Sequence, residues 1–166
     1  SRSVTADHVL SGVAPWVLRI LLGEGEHPDK PVGSQLKINL LLERLPRLRS
    51  GMDPAKAFAG TLHLGEDYSQ IERAYAEAAA GEVPSTMPGE VYCHSLTDPS
   101  ILSEPLRRAG AHTMTVFGLH TPHRLLAGLD PDIARVRLTA AALHSLNSVL
   151  AEPIQDVVMR DRHGRP

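Results

Sequence analysis

Three polar side chains close together in the sequence have the types found in hydrolytic sites. His94 and Ser95 are adjacent, and Asp98 follows in the same segment. A Ser–His–Asp site needs a histidine base that reaches the serine hydroxyl, with an oxyanion hole beside it. Neighbouring residues on a strand point to opposite faces, so His94 is poorly placed to activate Ser95. The spacing therefore argues against a catalytic triad, and no catalytic residue is assigned.

Histidines are the side chains best suited to bind a metal. His94, His112 and His120 lie on or near predicted strands, and His123 follows His120 closely. Three neutral imidazoles can hold zinc with one open position. Pro122 prevents a helical pairing of His120 with His123, however, and no carboxylate stands at ligand spacing beside them. We expect no metal site, and a histidine–metal hydrolase is a third hypothesis, which would require stoichiometric zinc in the purified protein.

The segment SLTDPS and the cysteine before it have structural explanations. Asp98 precedes Pro99, which restricts it to extended conformations, and its carboxylate can accept a hydrogen bond from the following turn. Ser95 and Ser100 can act in the same way. Cys93 lies in an apolar stretch, which predicts a small buried residue rather than a reactive thiolate.

Bulk properties exclude several classes of protein. The 166 residues carry a formal net charge of -2, so we expect no nucleic-acid partner. A single cysteine cannot form an internal disulfide, which fits a reducing compartment. No apolar run reaches the roughly 18 residues of a membrane span. The sequence contains no GxGxxG fingerprint and no P-loop. A cytoplasmic protein without a dinucleotide site of its own is expected.

Hydrophobic periodicity predicts the elements that position these residues. The clearest strand alternates Leu36, Ile38, Leu40 and Leu42 with polar side chains. Strands are predicted over residues 7–13, 35–43, 60–65, 90–95, 112–119 and 154–159. Helices are predicted over residues 16–22, 66–80 and 131–150, with a short turn at 104–109. This order of elements favours one α+β domain, residues 1–166, with a mostly antiparallel or mixed sheet packed against several helices.

Two of the predicted helices carry informative apolar stripes. The helix after Asp67 has one stripe, formed by Ile71, Ala74, Tyr75, Ala78 and Ala79. The last helix has an N-cap at Asp130 and a proline in its first turn. Its apolar residues fall on two faces, which predicts that it is covered on more than one side.

Several segments together resemble a known enzyme family. The runs GTLHLGEDYSQIERAYAEAAAGEVP, YCHSLTDPSI and GAHTMTVFGLHTP are similar to the middle of phytoene-desaturase and carotenoid-oxidoreductase-like FAD-dependent flavoproteins, including the branch of pyridine nucleotide-disulfide oxidoreductase domain-containing protein 2. Ser95 and Asp98 match the Ser-x-x-Asp-Pro-Ser loop of that family, and His112 matches its Gly-x-His strand entry. The resemblance covers most of residues 6–160.

The resemblance implies a substrate domain cut from a longer enzyme. The FAD-binding segments of the family are absent here, so the resemblance implies FAD in the intact parent and none in this piece. Its implied partners are the FAD-binding domain of the same parent and an apolar, isoprenoid-like substrate. Ala14 and Pro15 would approach the cofactor in the parent. For Ser95, Asp98 and His112 a role in loop architecture is favoured over substrate contact.

A second hypothesis comes from a different class of protein. The chain would be a free-standing binding or oligomerisation module that keeps this fold without catalysis. A domain separated from its partner exposes an apolar face, so we expect the 166-residue chain to form homodimers. Peripheral membrane association of the parent is left open.

Overall fold

A computed structural model describes residues 3–25, 32–33 and 35–164. The chain divides into two units, Ser1–Val32 and Gly33–Pro166, each of which is described by itself. The first unit contains α1 (Pro15–Leu21), whose first residue is the predicted proline. Of the predicted loop at 23–34, residues 26–31 and 34 lie outside the described part.

The strand predicted over residues 7–13 is wrong. These residues have no regular secondary structure, and Val9 and Leu10 are 84% and 98% exposed. A short apolar run becomes a strand only where another strand supplies hydrogen bonds and a surface to cover, and no described strand pairs with this one.

The second unit contains the sheet and the remaining helices. Its strands are β1 (Leu36–Leu42), β2 (Thr61–Leu64), β3 (Gly89–Tyr92) and β4 (His112–Gly118). Its helices are α2 (Pro54–Ala57), α3 (Tyr68–Ala79), α4 (His94–Thr97), α5 (Glu104–Arg108) and α6 (Pro131–Asn147). Short 3₁₀ turns lie at Pro99–Ile101, His123–Leu126 and Ile154–Asp156. The predicted α+β class is confirmed.

The four strands form one antiparallel sheet in the order β1-β4-β3-β2. In its register, Leu42 pairs with His112 and Ile38 with Val116, which in turn pairs with Val91. Cross-strand partners share a face, so the predicted alternation along β1 sets which face becomes the core.

One face of the sheet, called the core face here, is covered by α6 and the chain after it. Leu42, Val91, Met114 and Val116 of this face belong to the same buried cluster as Leu146 of α6. The other buried members are Phe58, Leu64, Cys93, Leu150, Ile154 and Val157. Gly118 lies at the end of this face because a Cβ there would come within 2.1 Å of Met87 Sδ.

The long helix α6 is covered on one side only. Asp130 caps it by accepting from the backbone N–H of Asp132, as predicted. Its buried residues are Ala134, Leu138, Ala142, Ser145 and Leu146. Ile133 and Val136 are 50% and 64% exposed, so the prediction of coverage on both apolar faces is wrong. The helix lies at the surface of the unit.

Four further predictions are corrected by the structure. The strand at 90–95 ends at Tyr92, and the chain turns into α4. The segment 154–159 is a 3₁₀ turn with a single bridge from Val158 to Leu42, because its apolar residues close the core instead of extending the sheet. Of the stripe on α3, only Ala74 and Ala78 are buried, and the predicted turn at 104–109 is a short helix.

No helix in the described ranges is both long and apolar enough to cross a membrane.

Candidate functional site

The face of the sheet opposite the core face carries polar and aromatic side chains. The register places Lys37, Phe117 and Glu90 in one row across three strands. A second row contains Asn39, Thr115, Tyr92 and Thr61, and His63 lies opposite Glu90. We call these eight residues the open face: Lys37, Asn39, Thr61, His63, Glu90, Tyr92, Thr115 and Phe117. Alternation along each strand directs all of them away from the core.

Two aromatic rings form the centre of the open face. The rings of Tyr92 and Phe117 meet edge to face, with centroids 5.8 Å apart and an interplanar angle of 86°. Lys37 Nζ lies 5.5 Å from the Phe117 ring centroid, within the range of a cation–π contact. Both rings are half-buried, and their neighbour Thr115 is buried beneath the surrounding side chains. The result is an apolar centre within a polar border.

Hydrogen bonds hold the border of the open face in place. The Tyr92 hydroxyl donates to Glu90 Oε2 at 2.5 Å, and this carboxylate raises the pKa of Tyr92. Tyr92 therefore remains a neutral phenol at neutral pH. Across the sheet, Thr115 Oγ1 donates to Asn39 Oδ1 at 3.1 Å. These contacts fix the directions of a phenol, a carboxylate and an amide around the rings.

A small cleft lies beside Tyr92. Its volume is about 170 Å³, and its lining includes Phe58, Thr61, Cys93 and Thr97. Cys93 is buried as predicted, and this burial raises the pKa of its thiol. A thiol held in the neutral form is a poor nucleophile, so the cleft extends the open face without adding a reactive group.

Ser95 occupies a structural position at the end of the sheet. Its Oγ accepts from the backbone N–H of Thr113 at 3.0 Å, where β3 has already ended at Tyr92. The hydroxyl thus replaces the carbonyl that a longer β3 would have supplied. The same oxygen lies 3.2 Å from His112 Nδ1 and 3.6 Å from Cys93 Sγ.

The three residues that suggested a hydrolase each contact a different partner. His94 stacks on the Tyr92 ring, with centroids 5.8 Å apart. Asp98 is exposed and accepts from the backbone N–H of Ser100 at 2.9 Å, which is the predicted turn-capping bond. A hydrogen bond from the Ser100 side chain, together with this backbone bond, lowers the pKa of Asp98.

Ser95 instead lies beside His112, a pairing that sequence reasoning missed. Burial lowers the pKa of His112, and in the described residues no carboxylate contacts its ring. A serine whose oxygen already accepts a backbone N–H, next to an unoriented histidine, lacks two components of a nucleophilic site. The register of β3 with β4 would have revealed the pairing, but the intervening turns hide that register in the sequence.

The described strands do not form the parallel strand–turn–helix unit that binds a dinucleotide in Rossmann-type proteins. A dinucleotide site needs a glycine-rich turn between a parallel strand and a helix, and all strand pairs here are antiparallel. Of the expected cofactor neighbours, Ala14 is the N-cap residue of α1 and Pro15 is its first residue, both in the first unit. Nor does any group of three or more His, Cys, Asp or Glu side chains in the described ranges fit a metal ion.

Comparison with known proteins finds close relatives of this segment. Uncharacterized protein Rv0897c of Mycobacterium tuberculosis (strain ATCC 25618 / H37Rv) is 56% identical over 159 residues, which is 95% of this chain and 29% of the relative. Uncharacterized protein Mb0921c of Mycobacterium bovis (strain ATCC BAA-935 / AF2122/97) matches with the same identity and coverage. No family model and no solved structure matches the chain. The chain therefore spans 29% of the length of the curated relatives it is similar to.

Proposed function

We propose that this chain is the substrate-binding part of a larger FAD-dependent oxidoreductase of the phytoene-desaturase type. Its substrate would be apolar or isoprenoid-like, and the chain alone would be catalytically inactive. The observation that carries the proposal is the open face, where Tyr92 and Phe117 form an apolar centre on a rigid sheet.

The chemistry of the open face suits binding better than catalysis. Aromatic rings can bind a hydrocarbon because contact removes apolar surface from water. Each Å² of apolar surface buried in this way contributes about 25 cal/mol of favourable free energy. The polar groups of Asn39, Glu90 and Thr61 surround the rings and favour one orientation of a long apolar molecule. In such enzymes the flavin carries the redox chemistry, while the protein sets position and access. No step is assigned to a residue of this chain.

The longer relatives support the same proposal. A segment 56% identical to this chain makes up 29% of each mycobacterial protein, so in those proteins it belongs to a larger whole. The sequence motifs around Ser95, Asp98 and His112 resemble the substrate region of the flavoprotein family. The proposed partner that covers the open face is the FAD-binding domain of the same parent, in the cytoplasm.

The test is the visible spectrum of two purified proteins. One is the 166-residue chain, and the other is the full-length M. tuberculosis relative. We expect flavin absorbance, with FAD released on denaturation, in the longer protein only. A longer protein that is flavin-free after reconstitution with FAD would contradict the proposal, and so would stoichiometric FAD on the 166-residue chain.

One observation favours the second hypothesis, a non-catalytic binding or oligomerisation module. Ile133 and Val136 are exposed on the outer side of α6, as expected of a surface that associates. On this hypothesis the chain forms reversible dimers that Ile133→Ser with Val136→Ser disrupts, whereas Arg135→Ser on the same helix leaves them intact. Sedimentation velocity at high concentration distinguishes these outcomes. If the chain is a monomer at all concentrations, the exposed residues on α6 do not mediate self-association, and the oligomerisation hypothesis is contradicted.

A further inference from the structure

One cavity of the second unit lies away from the open face. Its volume is about 660 Å³, and it lies between the turn after α3, the 3₁₀ turn at His123–Leu126 and α6. Apolar side chains of Val83, Leu125 and Leu129 line it together with Ala140. This volume is in the range that holds small organic ligands. The cavity shares no lining residue with the open face.

Two arginines lie in the lining of this cavity. Arg124 donates from Nη2 to the carbonyl oxygen of Ala78 at 3.0 Å, a bond that ties its guanidinium to the end of α3. A guanidinium has five N–H donors, so others remain for a ligand. Arg137 projects from α6, and in the described residues it makes no ion pair. The neighbouring Arg135, by contrast, pairs with Asp132 at 3.0 Å.

The charge of the lining favours an anion with an apolar body. Glu82 is the only carboxylate among the lining residues, so the two guanidinium groups leave a net positive charge. Guanidinium groups recognise carboxylate, sulfonate and phosphate through paired hydrogen bonds. The apolar walls would cover a hydrocarbon portion of about the size that the cavity admits.

We infer that this cavity binds an anionic amphiphile: a compact apolar body that carries one carboxylate, sulfonate or phosphate. Arg137 binds the anion together with Arg124, and Val83, Leu125 and Leu129 contact the apolar body. The inference is independent of the proposed oxidoreductase function, since it concerns a different surface.

A pair of fluorescent probes tests the inference with the 166-residue chain. The first probe, 1-anilinonaphthalene-8-sulfonate, has an apolar body with a sulfonate. The second, N-phenyl-1-naphthylamine, has the same body without a charge. We expect Arg137→Gln to weaken binding of the first probe about tenfold, which corresponds to about 1.4 kcal/mol. Binding of the second probe should not change. Ala140→Phe, which fills the cavity, should weaken both probes.

Matched controls separate this site from other surfaces. Arg135→Gln alters a neighbouring arginine that is already paired, so it should leave both probes unchanged. The inference is overturned if the Arg137→Gln variant binds the anionic probe as tightly as the Arg135→Gln variant does. It is also overturned if Phe117→Ala on the open face, rather than Arg137→Gln, weakens the anionic probe. Circular dichroism and thermal unfolding verify that each variant is folded.

Displacement of the anionic probe identifies the class of ligand. Dodecanoate at micromolar concentration should compete, because it combines a carboxylate with a hydrocarbon chain. Inorganic phosphate at the same concentration should not compete. Competition by phosphate alone would indicate a simple anion site and would overturn the inference of an amphiphile.

Discussion

The two faces of the sheet share one backbone but differ in what their side chains do. Along β4, Met114 and Val116 are 0% and 1% exposed on the core face. Phe117, the next residue on the strand, is half-buried on the open face, where its ring meets Tyr92 and Lys37. The buried side chains of the core face therefore stabilise the fold, while the side chains of the open face remain accessible to another molecule.

This difference explains where function is to be sought. The core face is covered by α6 and by Leu150, Ile154 and Val157, which belong to the same buried cluster as the strand residues. On the open face, hydrogen bonds instead hold the Tyr92 phenol, the Glu90 carboxylate and the Asn39 amide in fixed positions beside the Phe117 ring. Half-exposed aromatic side chains on a rigid scaffold are typical of surfaces that bind another molecule.

The largest expected effect separates the two faces directly. Leu42→Ala on the core face removes a fully buried side chain and should destabilise the chain by about 2–5 kcal/mol. Phe117→Ala on the open face should cost about 1 kcal/mol, since it loses an aromatic contact but leaves no enclosed cavity. Denaturation by urea measures both. Equal losses for the two variants would break the distinction between the faces.

A second prediction concerns the end of the sheet, where both faces terminate. Ser95→Ala removes the acceptor of the Thr113 N–H, so we expect a loss of about 1–3 kcal/mol and faster hydrogen exchange of that amide. Ser100→Ala is the matched control, because Asp98 can still accept from the backbone N–H of residue 100. Unchanged exchange at Thr113 in the Ser95→Ala variant would contradict the structural role of Ser95.

A third prediction concerns the segment that closes the core face. Glu152 accepts two bonds of 2.8 Å from Arg44 and one of 3.0 Å from the backbone N–H of Arg47. The bond from Arg44 and then that from Arg47 hold the pKa of Glu152 far below its usual range. Glu152→Gln should therefore destabilise the chain at pH 7, by less than Ser95→Ala does, because Arg44 is solvent-exposed.

The sign of the pH dependence follows from the lowered pKa of Glu152. The stabilisation is fully present above the unfolded-state pKa of about 4.3 and is lost as the pH falls toward the folded-state pKa. The difference in unfolding free energy between wild type and Glu152→Gln should thus shrink below about pH 4. Glu72→Gln on α3 is the control. A difference that grew in acid would contradict the assigned contacts.

The smallest effect should occur on the open face itself. Glu90 raises the pKa of Tyr92 through the hydrogen bond between them. Glu90→Gln should therefore bring the Tyr92 pKa back toward its ordinary value of about 10, with little change in stability. Absorbance titration in a background where Tyr68 and Tyr75 are replaced by Phe isolates this signal. An unchanged titration would mean that the two groups do not interact in solution.

Local patterns in the sequence predicted much of this fold. The alternation of Leu36, Ile38, Leu40 and Leu42 with polar residues located β1 and its core face, and Asp130 with Pro131 located the start of α6. Both signals act within a few residues, so they survive without knowledge of the rest of the chain. The apolar runs at 7–13 and 154–159 failed because a strand also needs a partner, and partners are distant in sequence.

The candidate site was harder to predict for the same reason. Ser95 and His112 were singled out from motifs, but their contact depends on the register of β3 with β4. The open face depends on that register in the same way, since Tyr92 and Phe117 come from different strands. The sequence indicates which side chains alternate along one strand, and it does not indicate which strands become neighbours.

The most direct test is whether the longer protein covers the open face. Hydroxyl-radical footprinting should compare the 166-residue chain with the full-length M. tuberculosis relative, after the corresponding residues have been verified by alignment. We expect oxidation at the positions of Tyr92 and Phe117 to fall severalfold in the longer protein. At positions 68 and 75, the exposed tyrosines of α3 serve as references where those rings are retained. Equal oxidation of Tyr92 and Phe117 in both proteins would show that nothing covers this face and would contradict the account.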